Sequence, residues 1–325
     1  MTAGTTTAAL TTLTSALKPF GVAYAMTCLL AFTFQRRLQY FPSSQFPDHP
    51  KALHPLFADV EDVPLIAEDG TRLHCYHWPA PSGDAQPVAP WWLKDSGEAL
   101  RLRMAEFRQQ HPQLRSCDVL LFHGNAGDRA NRLGWMHLIR EGVGVSVTVL
   151  DYRGYGGSEG SPSELGFIQD GEAAVAWLRR RQDASGGQRR MILWGESIGT
   201  GVAVAVAARE GLPSGLVLES GFSSCAEVGQ SAYPWLPVRW FMLDQFDSVA
   251  RAPKLSARLP ALCLHGEDDE IAPINLGEKL FHALPSEQKR FVRFAGTTHN
   301  EVPYRDPELY LKEVAAFLTQ VSSGS

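Results

Sequence analysis

From Asp118 to the C-terminus the chain alternates short, almost wholly apolar runs with longer amphipathic segments, and this rhythm constrains the fold more than any other feature. "DVLLF" (118–122) leads to "DRANRLGWMHLIREG" (128–142). "VSVTVLDY" (145–152) leads to "SELGFIQDGEAAVAWLRRR" (163–181), and "MILWG" (191–195) to "IGTGVAVAVAARE" (198–210). "GLVLES" (215–220), "ALCLHG" (261–266) and "RFVRFAG" (290–296) are further strand runs, and "DPELYLKEVAAFLTQ" (306–320) is a closing helix. Strands buried on both faces read as continuous apolar runs, and their alternation with helices is the mark of βαβ units in a mostly parallel sheet. With 325 residues and 44% hydrophobic content, the chain can build a core of that size.

Upstream, "EDVPLIAEDG" and "TRLHCYHWPA" read as two strands joined by a turn at Glu68-Asp69-Gly70. Residues 81–117 look like an insertion, a Pro/Gly loop followed by a stretch of helical spacing. The segment 222–258 breaks the βα rhythm and holds "YPWLPVRWFMLDQF", which suits a small lid over a site at the strand C-termini. "YFPSSQFPDHPKALHP" (40–55) reads as a linker.

The first 47 residues carry no Asp or Glu. Their centre, "FGVAYAMTCLLAFTF" (20–34), is uncharged and is followed by Gln35-Arg36-Arg37. Fifteen apolar residues are short for a span, but the stretch extends backwards through Lys18, whose ammonium can snorkel to an interface. Residues 1–37 are therefore expected to be an uncleaved membrane anchor, with a mitochondrial transit peptide or a buried helix as the alternatives. Residues 38–325 would form the folded domain. A net charge of −5 argues against a nucleic-acid partner. Cys28, Cys75, Cys117, Cys225 and Cys263 are odd in number and lack metal-site spacing, so they read as reduced thiols. The histidines show no zinc-ligand spacing either, and no metal or organic cofactor is expected.

Two pentapeptides fit G-x-S-x-G: Gly156 to Gly160 around Ser158, and Gly195 to Gly199 around Ser197. A serine nucleophile held on a sharp turn needs a strand before it and a helix after it. Ser197 has both, whereas Ser158 follows the loop "YRGYG" and precedes Ser161-Pro162. A serine also needs a base, and the base an orienting acid, here in the chain order Ser, acid, His. His299 follows the last strand run and is the candidate base. Asp269 is the candidate acid, with Asp268 and Glu219 as alternatives at strand ends. The backbone N–H groups of Ile198 and of Asn125, in "LLFHGNAGD", are the candidate oxyanion donors. His123 and His265 each precede a glycine at a strand end, where a shaping role suits them better.

Taken together, "LLFHGNAG", "VLDYRGYGGSEGSPSE", "GESIGTG", "LVLESGFSS", "HGEDDEIAP" and "TTHNE" resemble the α/β-hydrolase superfamily. More narrowly, they are similar to its membrane-anchored serine hydrolases, the bud-emergence-related branch and the palmitoyl-protein depalmitoylases. The resemblance covers roughly residues 38–320 and departs from the family around 81–117. It implies an α/β-hydrolase fold with a small lid, and an acid at the end of His265-Gly266-Glu267-Asp268-Asp269, which favours Asp269. It also implies a base in His299-Asn300-Glu301. The expected activity is hydrolysis of an acyl ester or thioester, on lipid or palmitoylated-protein substrates at a membrane. A serine peptidase of the same fold or a non-catalytic binding module are the rivals. Oligomeric state is not legible in the sequence.

Overall fold

A computed structural model of the protein describes residues 3–43, 50–82, 85–92, 97–186, 189–209 and 213–324, with side chains described from Pro19 onward. Eight strands form one sheet: β1 (Glu61–Ile66), β2 (Arg72–Trp78), β3 (Cys117–Phe122), β4 (Ser146–Asp151), β5 (Arg190–Glu196), β6 (Gly215–Glu219), β7 (Ala261–Gly266) and β8 (Lys289–Phe294). Their spatial order is β1-β2-β4-β3-β5-β6-β7-β8. The pairs from β4 to β8 are parallel, and β2 is antiparallel to both β1 and β4. The strand runs expected from the sequence are all present, and the β1–β2 pair is the expected hairpin around Gly70.

The sheet is covered on both faces, as parallel strands require. Within β3, Leu120 and Phe122 enter one core and Val119 and Leu121 the other, following the period-two alternation of a strand. The first core holds α4 (Glu164–Ala184) and α5 (Ile198–Arg209), including Phe167, Val175, Val202 and Val206. The second holds α3 (Leu133–Val143) and α8 (Pro307–Ser323), including Trp135, Ile139, Tyr310 and Val314. The small residues of α5 let it lie close to the sheet. Residues 81–117 contain one helix, α2 (Gly97–Gln110), with Leu100 and Met104 in the second core; residues 83, 84 and 93–96 of this insertion lie outside the described residues. Segment 222–258 holds α6 (Cys225–Ala232) and two single-turn helices, Val238–Phe241 and Ser248–Arg251. One further helix, α7 (Ile274–Ala283), lies between β7 and β8, where the sequence reading had none.

The N-terminal segment corrects an expectation. It is helical, α1 (Ala3–Gln39), but among the described residues no helix is long and apolar enough to cross a membrane. The apolar stretch is fifteen residues long, broken by Thr27 and Thr33, and its backward extension meets Lys18 and Pro19. Instead, the least exposed stripe of α1, Cys28, Ala31, Gln35 and Gln39 at helical spacing, faces the chain's own segment 222–258. Tyr24 donates from its hydroxyl to the Trp235 carbonyl at 2.9 Å, and Arg36 forms an ion pair with the buried Asp244 carboxylate at 2.7 Å.

The expected linker at 40–55 is also partly ordered by partners. Phe41 and Pro42 pair in parallel with Ala126 and Gly127. Residues 44–49 of that stretch lie outside the described residues.

Ser158, in the other G-x-S-x-G match, is buried in the loop after β4. Its hydroxyl donates to the Asp151 carbonyl at 2.9 Å and accepts from the His74 N–H at 3.0 Å, tying the loop to β2. Ser158→Ala removes both bonds and leaves buried backbone groups unsatisfied. The variant should lose about 1–3 kcal/mol of stability in urea titration, and an unchanged midpoint would contradict this role.

Candidate active site

β5 runs directly into α5 with a single residue, Ser197, between them. Ser197 has φ +53°, a conformation that L residues adopt at a cost of about 1–3 kcal/mol. Its N–H donates to the Glu219 carbonyl at 2.9 Å, and its carbonyl accepts from the Thr200 N–H and Oγ1 at 2.9 and 2.7 Å. The flanking glycines are there for space. A Cβ at Gly199 would sit 1.9 Å from the Phe122 carbonyl oxygen, and one at Gly195 would sit 2.4 Å from the Thr200 Cα. The turn therefore closes only with glycine at both positions, and it lifts the serine hydroxyl above the C-terminal ends of β3, β5 and β6.

Ser197 Oγ lies 2.9 Å from His299 Nε2, and His299 Nδ1 lies 2.7 Å from Asp269 Oδ2. The three side chains come from the ends of β5, β7 and β8 and are all buried. Asp269 is held from several sides. Its Oδ1 accepts from the Ile271 and Ala272 N–H groups at 3.0 and 2.7 Å. Its Oδ2 also lies 3.2 Å from His265 Nε2, which the Ala272 carbonyl holds in place as acceptor at 2.9 Å. Burial by itself would raise its pKa, but the hydrogen bonds from His265 and His299 prevail and hold the carboxyl well below the usual range. His265, read from the sequence as a shaping residue, thus braces the carboxylate; that its ring reaches forward to a residue four places further along the chain was not legible from its place before a glycine.

The other carboxylates considered for this position are elsewhere. Asp268 is exposed. Glu219 is buried on the second-core face, where its Oε2 accepts from Tyr310 Oη at 2.6 Å and Trp194 Nε1 at 3.2 Å. Burial pushes its pKa up to about 8. The residue between Gly195 and Ser197, Glu196, pairs with Arg132 at 2.7 Å. Burial opposes its ionisation, but the adjacent guanidinium wins and keeps the carboxyl below its ordinary value. Nothing in the spacing of Arg132 and Glu196 announced this pair.

The loop after β3 brings Asn125 to the same mouth, where Asn125, Ser197 and Ile198 line one cavity. The His123 ring, pushed down to a pKa of about 4 by burial, is neutral and donates from Nδ1 to the Gly124 carbonyl at 2.7 Å. The Asn125 carbonyl accepts from the Phe41 N–H at 2.9 Å and the Tyr155 hydroxyl at 2.8 Å, and its side-chain amide donates to the Gln39 carbonyl at 2.9 Å. The cavity has a volume of about 560 Å³. Its walls are mainly apolar, with Phe222, Val228, Leu236, Val238, Phe241 and Met242 from segment 222–258. Among the described residues no group of three His, Cys, Asp or Glu side chains is placed to hold a metal ion. The five cysteines are free, Cys28 half-buried and the other four buried.

The sequence profile of the α/β hydrolase fold matches residues 119–250. Protein bem46 of Schizosaccharomyces pombe is 33% identical over 205 residues, covering 62% of this chain and 67% of that protein. The chain belongs to the α/β-hydrolase superfamily, in the bem46/ABHD12-like branch. Within that branch, the lysophosphatidylserine lipase ABHD12 of Danio rerio is 32% identical, covering 75% of this chain and 66% of that protein. An uncharacterised protein of Mycobacterium tuberculosis is 37% identical, covering 89% of this chain and 88% of its own length. Among solved structures, an esterase of Pyrococcus furiosus shares the fold of this α/β-hydrolase, with a TM-score of 0.62 at 17% identity over 86% of this chain and 98% of the esterase.

Glu219 generates a pH test. Its pKa is raised in the folded state, so the neutral form supports the fold fully at low pH, and that support is lost as pH rises through about 8. Glu219→Gln keeps an acceptor for Tyr310 and Trp194 and cannot ionise. Thermal unfolding should show the wild-type protein losing ground to the variant between about pH 4.5 and 8. Parallel curves for the two proteins would contradict a neutral buried Glu219.

Proposed function

We propose that this hydrolase is a serine esterase or thioesterase that transfers the acyl group of a lipid-like substrate to Ser197 and then to water. The observation that carries the reading is the unbroken line Ser197–His299–Asp269 at the mouth of a mainly apolar cavity. His299 Nε2 takes the Ser197 hydroxyl proton as Oγ attacks the acyl carbonyl carbon. Asp269, ionised and braced by His265 and two backbone N–H groups, holds the imidazole with Nδ1 protonated and stabilises the imidazolium. The N–H groups of Asn125 and Ile198, residues that line the cavity beside Ser197, receive the developing oxyanion. The imidazolium then protonates the departing alcohol or thiol. A water, deprotonated by His299, attacks the acyl-enzyme, releases the carboxylic acid and restores the serine.

The substrate class follows from the walls. An apolar cavity favours an aliphatic acyl chain, which gains about 0.8 kcal/mol per methylene buried. The short cap over it, residues 222–258, acts as the lid. The lysophosphatidylserine lipases among the relatives point in the same direction, towards a lipid with a single acyl chain. An acyl thioester of a modified protein presents the same chain and a better leaving group, and belongs to the same class.

Ser197→Ala should abolish labelling by a fluorophosphonate probe while Ser158→Ala labels like the wild type. Equal labelling of wild type and Ser197→Ala would overturn the assignment. Asp269→Asn leaves the imidazole with the wrong tautomer and should lower kcat by about 10⁴. Asp268→Asn, at an exposed position, should stay within a few-fold. The reverse ranking, measured on a soluble aryl ester, would move the acid by one residue.

A further inference from the structure

Residues 31–43 run past the candidate active site as one continuous strap. At its C-terminal end the strap is bonded to the Asn125 loop: Phe41 N–H donates to the Asn125 carbonyl at 2.9 Å, Ser43 N–H donates to the Gly127 carbonyl at 3.0 Å, and the Asn125 amide donates to the Gln39 carbonyl at 2.9 Å. At its N-terminal end Ala31 and Gln35 are part of the cavity wall, together with the apolar side chains of segment 222–258. Ala31 lies eight residues before Gln39, which is about 12 Å along the helix axis. The same wall therefore passes beside Asn125 at one end and reaches well up the cavity at the other.

The strap is fastened to the cap rather than merely lying against it. Arg36 makes a two-pronged ion pair with Asp244, at 2.7 and 3.2 Å. The Asp244 carbonyl accepts from Gln39 Nε2 at 2.9 Å, and Gln35 Oε1 accepts from the Leu243 N–H at 2.7 Å. Phe32 meets Phe241 edge-on with ring centroids 6.3 Å apart. Asp244 is buried and also accepts from the Glu164 N–H at 3.1 Å, so the clasp is rooted in the start of α4. A wall held by this many directional bonds is a fixed boundary for whatever enters the cavity.

We propose that α1 is a part of the substrate-binding site in which Ala31 sets the length of acyl chain accepted. The proposal rests on the esterase reading above, because it takes the cavity to be the acyl site. A small side chain at position 31 leaves the far part of the cavity open to the distal methylenes of a long chain. A large one fills that part and leaves the region beside Ser197, Ile198 and Asn125 untouched. Position 31 thus discriminates between substrates by length and does not act on the chemistry.

The test uses full-length wild type, Ala31→Leu and Ala31→Trp on p-nitrophenyl butyrate, octanoate and palmitate, each titrated for kcat/KM. The expected result is a palmitate kcat/KM at least tenfold lower in Ala31→Trp, an intermediate loss in Ala31→Leu, and butyrate within twofold for both. Labelling rates with a short-alkyl and a long-alkyl fluorophosphonate should show the same split, which guards against a variant that has merely misfolded. A chain-length profile identical to wild type, or an equal loss on all three esters together with an equal loss of labelling by both probes, overturns the role of position 31. Wild type that neither hydrolyses the esters nor loses labelling on Ser197→Ala overturns the esterase reading itself, and the inference with it.

Discussion

The turn at Ser197 is the constraint on which the rest of the site depends. A serine with positive φ between β5 and α5 has little steric room, and Phe122 of β3 approaches so closely that only glycine fits at position 199. The strain is offset by bonds that fix the turn from both sides: the Ser197 N–H to β6, and the Ser197 carbonyl to the Thr200 N–H and hydroxyl. The helix that follows must begin at once and must lie close to the sheet, which its alanines, valines and glycines allow. The sharp turn thus aims the hydroxyl at the C-terminal ends of the parallel strands, where loops from β3, β7 and β8 can supply its partners.

Those partners show how far a buried polar network can set charge. Asp269 is buried, and burial alone would favour its neutral form; two imidazoles and two backbone N–H groups reverse that. Glu219 is equally buried, but the bonds from a phenol and an indole do not outweigh burial and the nearby Glu196 carboxylate, so it is pushed the other way. Two carboxylates at neighbouring strand ends therefore take opposite protonation behaviour from their surroundings. This difference separates the carboxylate that suits an imidazolium from the one that belongs to the core.

Much of this was legible in the chain. The alternation of apolar runs and amphipathic segments located the strands, because a strand buried on both faces has almost no choice of composition. The glycines around Ser197, read together with the strand before and the helix after, distinguished it from Ser158, which the fold uses to tie a loop to β2. Other features escaped for definite physical reasons. Helix α7 is only ten residues long and opens at Pro273-Ile274 right after an acidic turn, with no side-chain N-cap to announce its start. The apolar stretch at 20–34 reads as a membrane anchor because composition alone does not reveal its partner; the helix that contains it is bonded to the cap more than two hundred residues away, through Tyr24, Gln35 and Arg36.

The sequence by itself determined the parallel sheet, the place of the sharp turn, and the short set of serine, histidine and carboxylate residues at strand ends, because these follow from local periodicity and from the steric needs of glycine. Only the tertiary structure decided which carboxylate meets His299, that His265 braces it, and that α1 forms a wall of the cavity beside Ser197. Each of these depends on the distance between segments remote in the chain, and no local pattern encodes that distance.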